Sequence, residues 1–175
     1  MKPIVQTVAM LVLAAAPVAA QDTNGTITAT LDLEDSTWNV AGADMPRPSS
    51  WSEAGGMYDI NLIGTPSASA TRDPSQTLML RFDADPSGTS AMAEDLEVTL
   101  TGMTGGAPLT AAPANTDITL TALSVEGTDV VISGSFVAVL TEGDDTELVP
   151  ADTEGAVALD GNFQATIEQQ DADAY

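Results

Sequence analysis

The chain has 175 residues, with 26 Asp and Glu against four Lys and Arg, and a formal net charge of −22 at pH 7. It contains no His and no Cys, which excludes a Ser-His-Asp relay, a thiolate nucleophile, a disulfide and an ordinary zinc site. Nucleic acid is not expected as a partner, because phosphate binding depends on clustered Lys and Arg. So large an acidic excess is typical of a solvated acidic surface, or of a protein that works in salt or with bound cations.

The N-terminus has the order of a secretory signal peptide. Met1 and Lys2 form a short basic region, an apolar run follows over 8–16, and Val18 and Ala20 place small residues at the −3 and −1 positions. The alternative, a membrane anchor, is disfavoured because the run is too short for ~30 Å of hydrocarbon. We therefore expect cleavage after Ala20, a mature chain without a transmembrane segment, and a periplasmic or secreted bacterial protein.

Residues 21–170 have the pattern of a single all-β domain. Gly, Pro, Ser, Thr and Asp interrupt the chain at short intervals, and the runs between them alternate in hydrophobicity with a period of two residues. Strands are predicted near 26–33, 36–40, 57–63, 76–83, 96–101, 117–125, 129–141 and 156–168. The predicted fold is an antiparallel β-sandwich, or flattened barrel, of about eight strands. Residues 171–175 are predicted to form a flexible acidic tail.

Two Gly- and Pro-rich stretches, 41–56 and 102–116, are predicted to be loops. Trp51 lies in the first of them. An aromatic residue in such a loop either plugs the end of a sandwich or stacks against a ligand. The plug is favoured, because tryptophan is usually largely buried.

Three segments share one pattern: Gly, a large apolar residue, Ala, and Leu or Ile, each two positions apart. They are 25–31, 134–140 and 161–167. Period two places these side chains on one face of a strand. We expect three similar strands side by side, with the N-terminal strand joining the last two, and Phe136 and Phe163 buried on a shared face. Chance convergence of core strands is the alternative.

Residues 83–94 resemble an EF-hand calcium loop, with oxygen ligands at positions 1, 3, 5 and 12 and Gly88 at the sharp turn. The candidate ligands are Asp83, Asp85, Ser87 and Glu94. The segment departs from that pattern at Pro86 and Ser90, and its flanks resemble strands rather than helices. An ordinary turn is the alternative, and it is favoured in so acidic a chain.

Three classes of function remain. The leading one is a non-enzymatic envelope protein, a β-domain that binds a partner or has a structural role. The second is a calcium-dependent binding module that uses 83–94, and the third is a carboxylate-based hydrolase, for which nothing selects a pair among 26 acids. The expected partners are accordingly a protein or a divalent cation, and calcium is the only candidate cofactor.

Overall fold

The computed structural model describes residues 24–31, 33–67, 76–86, 92–102, 106–143, 148–151 and 153–170, and it confirms an all-β domain. The predicted signal peptide and C-terminal tail lie outside these residues. The described strands are β1 (Gly25–Leu31), β2 (Glu34–Val40), β3 (Ser50–Ala54), β4 (Met57–Pro66), β5 (Thr77–Asp85), β6 (Met92–Thr101), β7 (Leu109–Ala111), β8 (Thr116–Glu126), β9 (Asp129–Glu142) and β10 (Val157–Gln169). A 3-10 turn at Pro113–Asn115 precedes β8. Within this part of the chain, no helix is long and apolar enough to cross a membrane.

The strands form two layers that face each other across one core. One layer has the order β2-β1-β10-β9-β8, and the other has the order β3-β4-β5-β6-β7. Every neighbouring pair within a layer is antiparallel. The layers are joined by short pairings of β2 with β4, β7 with β9, and β10 with β3, of which the last is parallel. The sandwich is therefore hydrogen-bonded around its sides, as in a flattened barrel.

Alternation along each strand explains why these segments pack as they do. In β5, Leu78, Leu80 and Phe82 are buried, whereas the residues between them face outward. One hydrophobic cluster takes side chains from both layers. Because successive strand residues point to opposite faces, the outer faces carry mostly Thr, Ser, Asn, Asp and Gln. On β8, Ile118 and Leu120 are only half-buried, so this strand contributes less to the core than β5 does.

The three strands with the shared pattern lie side by side, as predicted, in the order β1-β10-β9. Phe136 and Phe163 are 2% and 3% exposed, and their ring centroids are 6.4 Å apart. The register explains two of the three glycines of the pattern, Gly134 and Gly161. Phe163 lies opposite Gly134 and Phe136 opposite Gly161. A Cβ on Gly134 would lie 2.7 Å from Phe163 Cζ, and one on Gly161 would lie 3.0 Å from Phe136 Cε1. Each ring therefore occupies the space that a side chain would need, an arrangement that fixes strand register.

The two stretches expected to be loops each contain a strand. Ser50–Ala54 forms β3, and Leu109–Ala111 forms the three-residue β7. Trp51 therefore lies in a strand rather than in a loop. It is 4% exposed, and its indole nitrogen donates a hydrogen bond to the carbonyl of Thr128, 3.0 Å away in the turn between β8 and β9. Its burial agrees with a structural role at one end of the sandwich.

Candidate functional site

Three of the four predicted calcium ligands lie on the outer face of the hairpin formed by β5 and β6. Asp83 and Asp85 are in β5, Glu94 is in β6, and Ser87 lies outside the described residues. Asp83 is directly opposite Glu94 in the strand pairing. The first and last ligands of the motif are therefore brought together across the hairpin. Over the described residues, no group of three or more His, Cys, Asp or Glu is arranged to hold a metal ion.

An ion pair with two hydrogen bonds joins β5 to β4 on the same layer. The guanidinium of Arg81 donates two hydrogen bonds to the carboxylate of Asp59, through Nε at 3.2 Å and Nη2 at 3.0 Å. The hydrogen bond to Asp59, and then the charge of that carboxylate, raise the pKa of Arg81, and Glu97 and Asp83 add smaller contributions. Since the Arg81 side chain is more than half exposed, water screens the pair strongly. Arg81 thus offsets part of the acidic charge on this face.

Next to the ion pair, a polar cleft of about 260 Å³ and a mixed polar and apolar cleft of about 600 Å³ meet at Ser50, Asn61 and Gln170. The Oδ1 atom of Asn61 is buried and has no hydrogen-bond partner among the described residues. A buried acceptor of this kind is normally satisfied by water or by a ligand group. Arg81 lines one cleft and Arg47 lines the other. They are the two cations of the described part of the chain.

An open groove of about 720 Å³ lies on the opposite layer, over the outer faces of β9 and β10. Its lining is mainly apolar. Val137, Val139 and Ala158 project from the two strands, because their neighbours along each strand point into the core. Val137 is 45% exposed. This volume falls in the range of about 300–1,000 Å³ that is typical of ligand sites.

One wall of the groove is the segment 148–151, which lies outside the sheet. Asn115 holds it in place: this residue is buried, and its Oδ1 accepts a hydrogen bond of 2.6 Å from the backbone N–H of Val149. Leu148 is left 78% exposed and lines the groove. The hydrogen bond from Val149 to the buried Asn115 side chain therefore holds the segment where the neighbouring Leu148 remains exposed to solvent.

Leu33 forms the other end of the groove, in the turn between β1 and β2. It is 96% exposed, and its φ is 68°, in the left-handed region. This backbone conformation is unfavourable for a bulky residue and usually occurs with Gly or Asn. Leu33 thus has a strained backbone and an apolar side chain in water. Glycine or asparagine would suit this turn better.

Carboxylates flank the apolar floor. Asp160 on β10 and Asp117 on β8 are each directly opposite Val137, one on either side, and both line the groove. Asp35 lies further along the same row and accepts a hydrogen bond from Thr30, 2.9 Å away. Both described arginines line the other clefts, so no cation of the described residues lines this groove. It is apolar at its centre and acidic at its sides.

Comparisons of the chain with family models, with curated proteins and with solved structures found no match.

Sequence reasoning missed the groove, although one signal was present. Residues 136–140 form an uninterrupted apolar run of five residues, Phe-Val-Ala-Val-Leu, which is longer than the apolar run of any other described strand. Such a run indicates a strand with apolar side chains on both faces. Leu33 gives a weaker signal, as a large apolar residue followed directly by Glu34 and Asp35. No sequence pattern connects either one to 148–151.

Proposed function

We propose that this protein is an exported, non-enzymatic binding domain that holds an apolar segment of a partner in the groove over β9 and β10. The observation that carries the proposal is the exposure of Leu33, Val137 and Leu148 around one concave surface. Exposed apolar side chains that line one concave surface with a few polar groups at its sides are typical of binding sites. Nothing else in the described fold needs these side chains to be apolar, because all three point away from the core.

Two sequence features support the remaining parts of the proposal. The order of basic, apolar and small residues over 1–20 supports export to the periplasm or the medium. The lack of His and Cys removes the most common catalytic bases and nucleophiles. Asp117 and Asp160 are both exposed, whereas the acid catalyst of a glycosidase is held in a desolvated cleft. A binding role therefore accounts for the groove better than a carboxylate-based hydrolase does.

Calcium-dependent binding at 83–94 is the second candidate. It is favoured by the position of Asp83 directly opposite Glu94, with Asp85 two residues further along the same face. In this alternative, the cation would bind on the layer opposite the groove, so the two candidates are tested separately.

A neutral fluorescent probe of apolar sites, N-phenylnaphthylamine, tests the groove without favouring either sign of charge. We expect the purified protein to enhance its fluorescence, and Val137→Thr combined with Leu148→Asn to weaken binding at least about threefold, as loss of apolar contact area predicts. Val125→Thr is the matched control, since Val125 is 44% exposed against 45% for Val137 and lies outside the groove. Equal binding by the parent and the double variant would refute the proposal.

A further inference from the structure

We propose that the occupant of the groove is a basic, amphipathic peptide segment of another protein, an inference that rests on the proposed binding function and specifies its partner. The row of residues across the groove places an apolar side chain between two acids: Asp160, Val137 and Asp117 follow one another on three adjacent strands. A segment that buries an apolar side chain against Val137 would therefore bring its flanking residues next to carboxylates.

The distance between Asp117 and Asp160 determines which side chains of a bound segment can pair with them. Directly opposed residues of neighbouring antiparallel strands have Cβ atoms about 4.5–5.5 Å apart, so the two aspartates lie roughly 10 Å apart with Val137 between them. Lys or Arg on either side of an apolar residue matches this arrangement. Their long side chains also cover apolar surface with their methylene groups while the charged ends reach the rim.

The net charge of the chain reinforces this selection. A formal charge of −22 creates a negative potential that concentrates cations and repels anions. A second copy of the chain would bring a second set of carboxylates against the same rim, and like charges opposed in this way suppress association. An anionic lipid surface is disfavoured for the same reason. Among occupants with apolar side chains, the negative potential favours a segment that also carries Lys or Arg.

Leu33 provides an independent indication that the end of the groove is used for binding. Its left-handed backbone and 96% exposure both disfavour leucine in the free domain. Residues held in sparsely populated backbone regions cluster at ligand clamps and similar functional sites. Leu33 lines the groove opposite 148–151, where it would cover an apolar side chain of the bound segment.

Two labelled synthetic peptides test the proposal by fluorescence anisotropy at ~0.15 M NaCl, where the Debye length is ~8 Å. One consists of repeated Lys-Leu-Ser triplets, and the other has Glu in place of every Lys. We expect the lysine peptide to bind at least about tenfold more tightly, since favourable charge pairing replaces repulsion at each contact. Asp117→Asn with Asp160→Asn should weaken it at least about fivefold and reduce its salt dependence.

Controls separate the groove from the general charge of the protein. Asp44→Asn with Glu126→Gln removes the same number of charges outside the groove, and it should change the affinity for the lysine peptide less than about twofold.

Leu33→Gly should weaken peptide binding and also raise the melting temperature, because it removes both the contact and the backbone strain. A purely structural Leu33 would leave binding unchanged.

Three results would overturn the inference. Equal affinity for the two peptides would contradict a basic partner, while groove-dependent binding of the neutral probe would still support the binding function. An equal loss of affinity in the control charge variant would show attraction to the whole protein rather than to the groove. A dimer that becomes monomeric when Val137 and Leu148 are substituted would show that a second copy fills the groove. Failure of the neutral probe together with both peptides would refute the proposed function itself.

Discussion

Substitution of Phe163 by alanine tests how the two layers of the sandwich are held together. The ring of Phe163 on β10 lies 5.8 Å from that of Phe82 on β5 and 6.4 Å from that of Phe136 on β9. It therefore contacts the opposite layer and the neighbouring strand of its own layer. Removal of a buried phenyl ring costs about 3–5 kcal/mol. Since domains of this kind are stable by about 5–15 kcal/mol, this single change would remove a large part of the free energy of unfolding.

Gly134→Ala tests the position of the Phe163 ring from the neighbouring strand β9, where Gly134 lies under the ring. Its new Cβ would lie 2.7 Å from Phe163 Cζ and 2.5 Å from the carbonyl oxygen of Thr119, so we expect a cost of about 1–3 kcal/mol for overpacking. In the Phe163→Ala background only the contact with the carbonyl remains. The double variant should therefore be less destabilised than the sum of the single variants, by about 0.5–3 kcal/mol for residues in contact.

Urea unfolding followed by tryptophan fluorescence measures these free energies, since Trp38 and Trp51 are both buried and report the loss of the core. Val125→Ala serves as a surface control and should change the free energy of unfolding by no more than about 0.5 kcal/mol. A cost below about 1 kcal/mol for Phe163→Ala would show that the ring is exposed. Equal costs of Gly134→Ala with and without Phe163 would show that the ring does not lie over the glycine.

Three further predictions concern processing, calcium and the exposed ion pair. The exported product should begin at Gln21, and mass spectrometry that finds Met1 or Lys2 in it would end the export proposal. A calcium site at 83–94 predicts that calcium at about 100 times its dissociation constant stabilises the fold by about 2.7 kcal/mol at constant NaCl, and that Glu94→Gln abolishes the rise in melting temperature. We expect the response of an ordinary turn, in which calcium and magnesium act alike, and a calcium-specific rise lost in Glu94→Gln would contradict that expectation. Arg81→Gln should lower the free energy of unfolding by at most about 1 kcal/mol, because the pair with Asp59 is exposed, and a larger loss in urea unfolding would show that the pair is better shielded than its exposure implies.

The fold class could be predicted from the sequence because the alternation of apolar and polar residues is visible within each strand segment. Each of the eight predicted strands corresponds to a strand of the structure, and the shared pattern identified the central trio of β1, β10 and β9. The two missed strands are short. β3 lies between Pro48 and the pair Gly55-Gly56, and β7 has only three residues. Segments of this length form strands because a neighbouring strand supplies hydrogen bonds, which a local pattern does not reveal.

The groove could not be predicted as a site, since its parts come from distant segments of the chain. Leu33 is in a turn, Val137 is in the ninth strand, and Leu148 is in an irregular segment held by Asn115. The apolar run over 136–140 indicated apolar side chains on both faces of β9, but not which segments lie beside its outer face. The predicted calcium ligands, by contrast, are close in sequence. Asp83 and Glu94 lie opposite each other because β5 and β6 pair as antiparallel neighbours, and the role of these ligands stays a prediction.

The position of β10 has a consequence for how the domain reaches its folded state. This last described strand pairs with β1, β9 and β3, so it joins segments from the first third and the last third of the chain. The first strand cannot form its native pairing with β10 until residues near 165 have left the ribosome or a translocation channel. Folds dominated by such distant pairings typically form in milliseconds to seconds. The chain would therefore emerge unfolded and close its sheet only after its C-terminal segment is free.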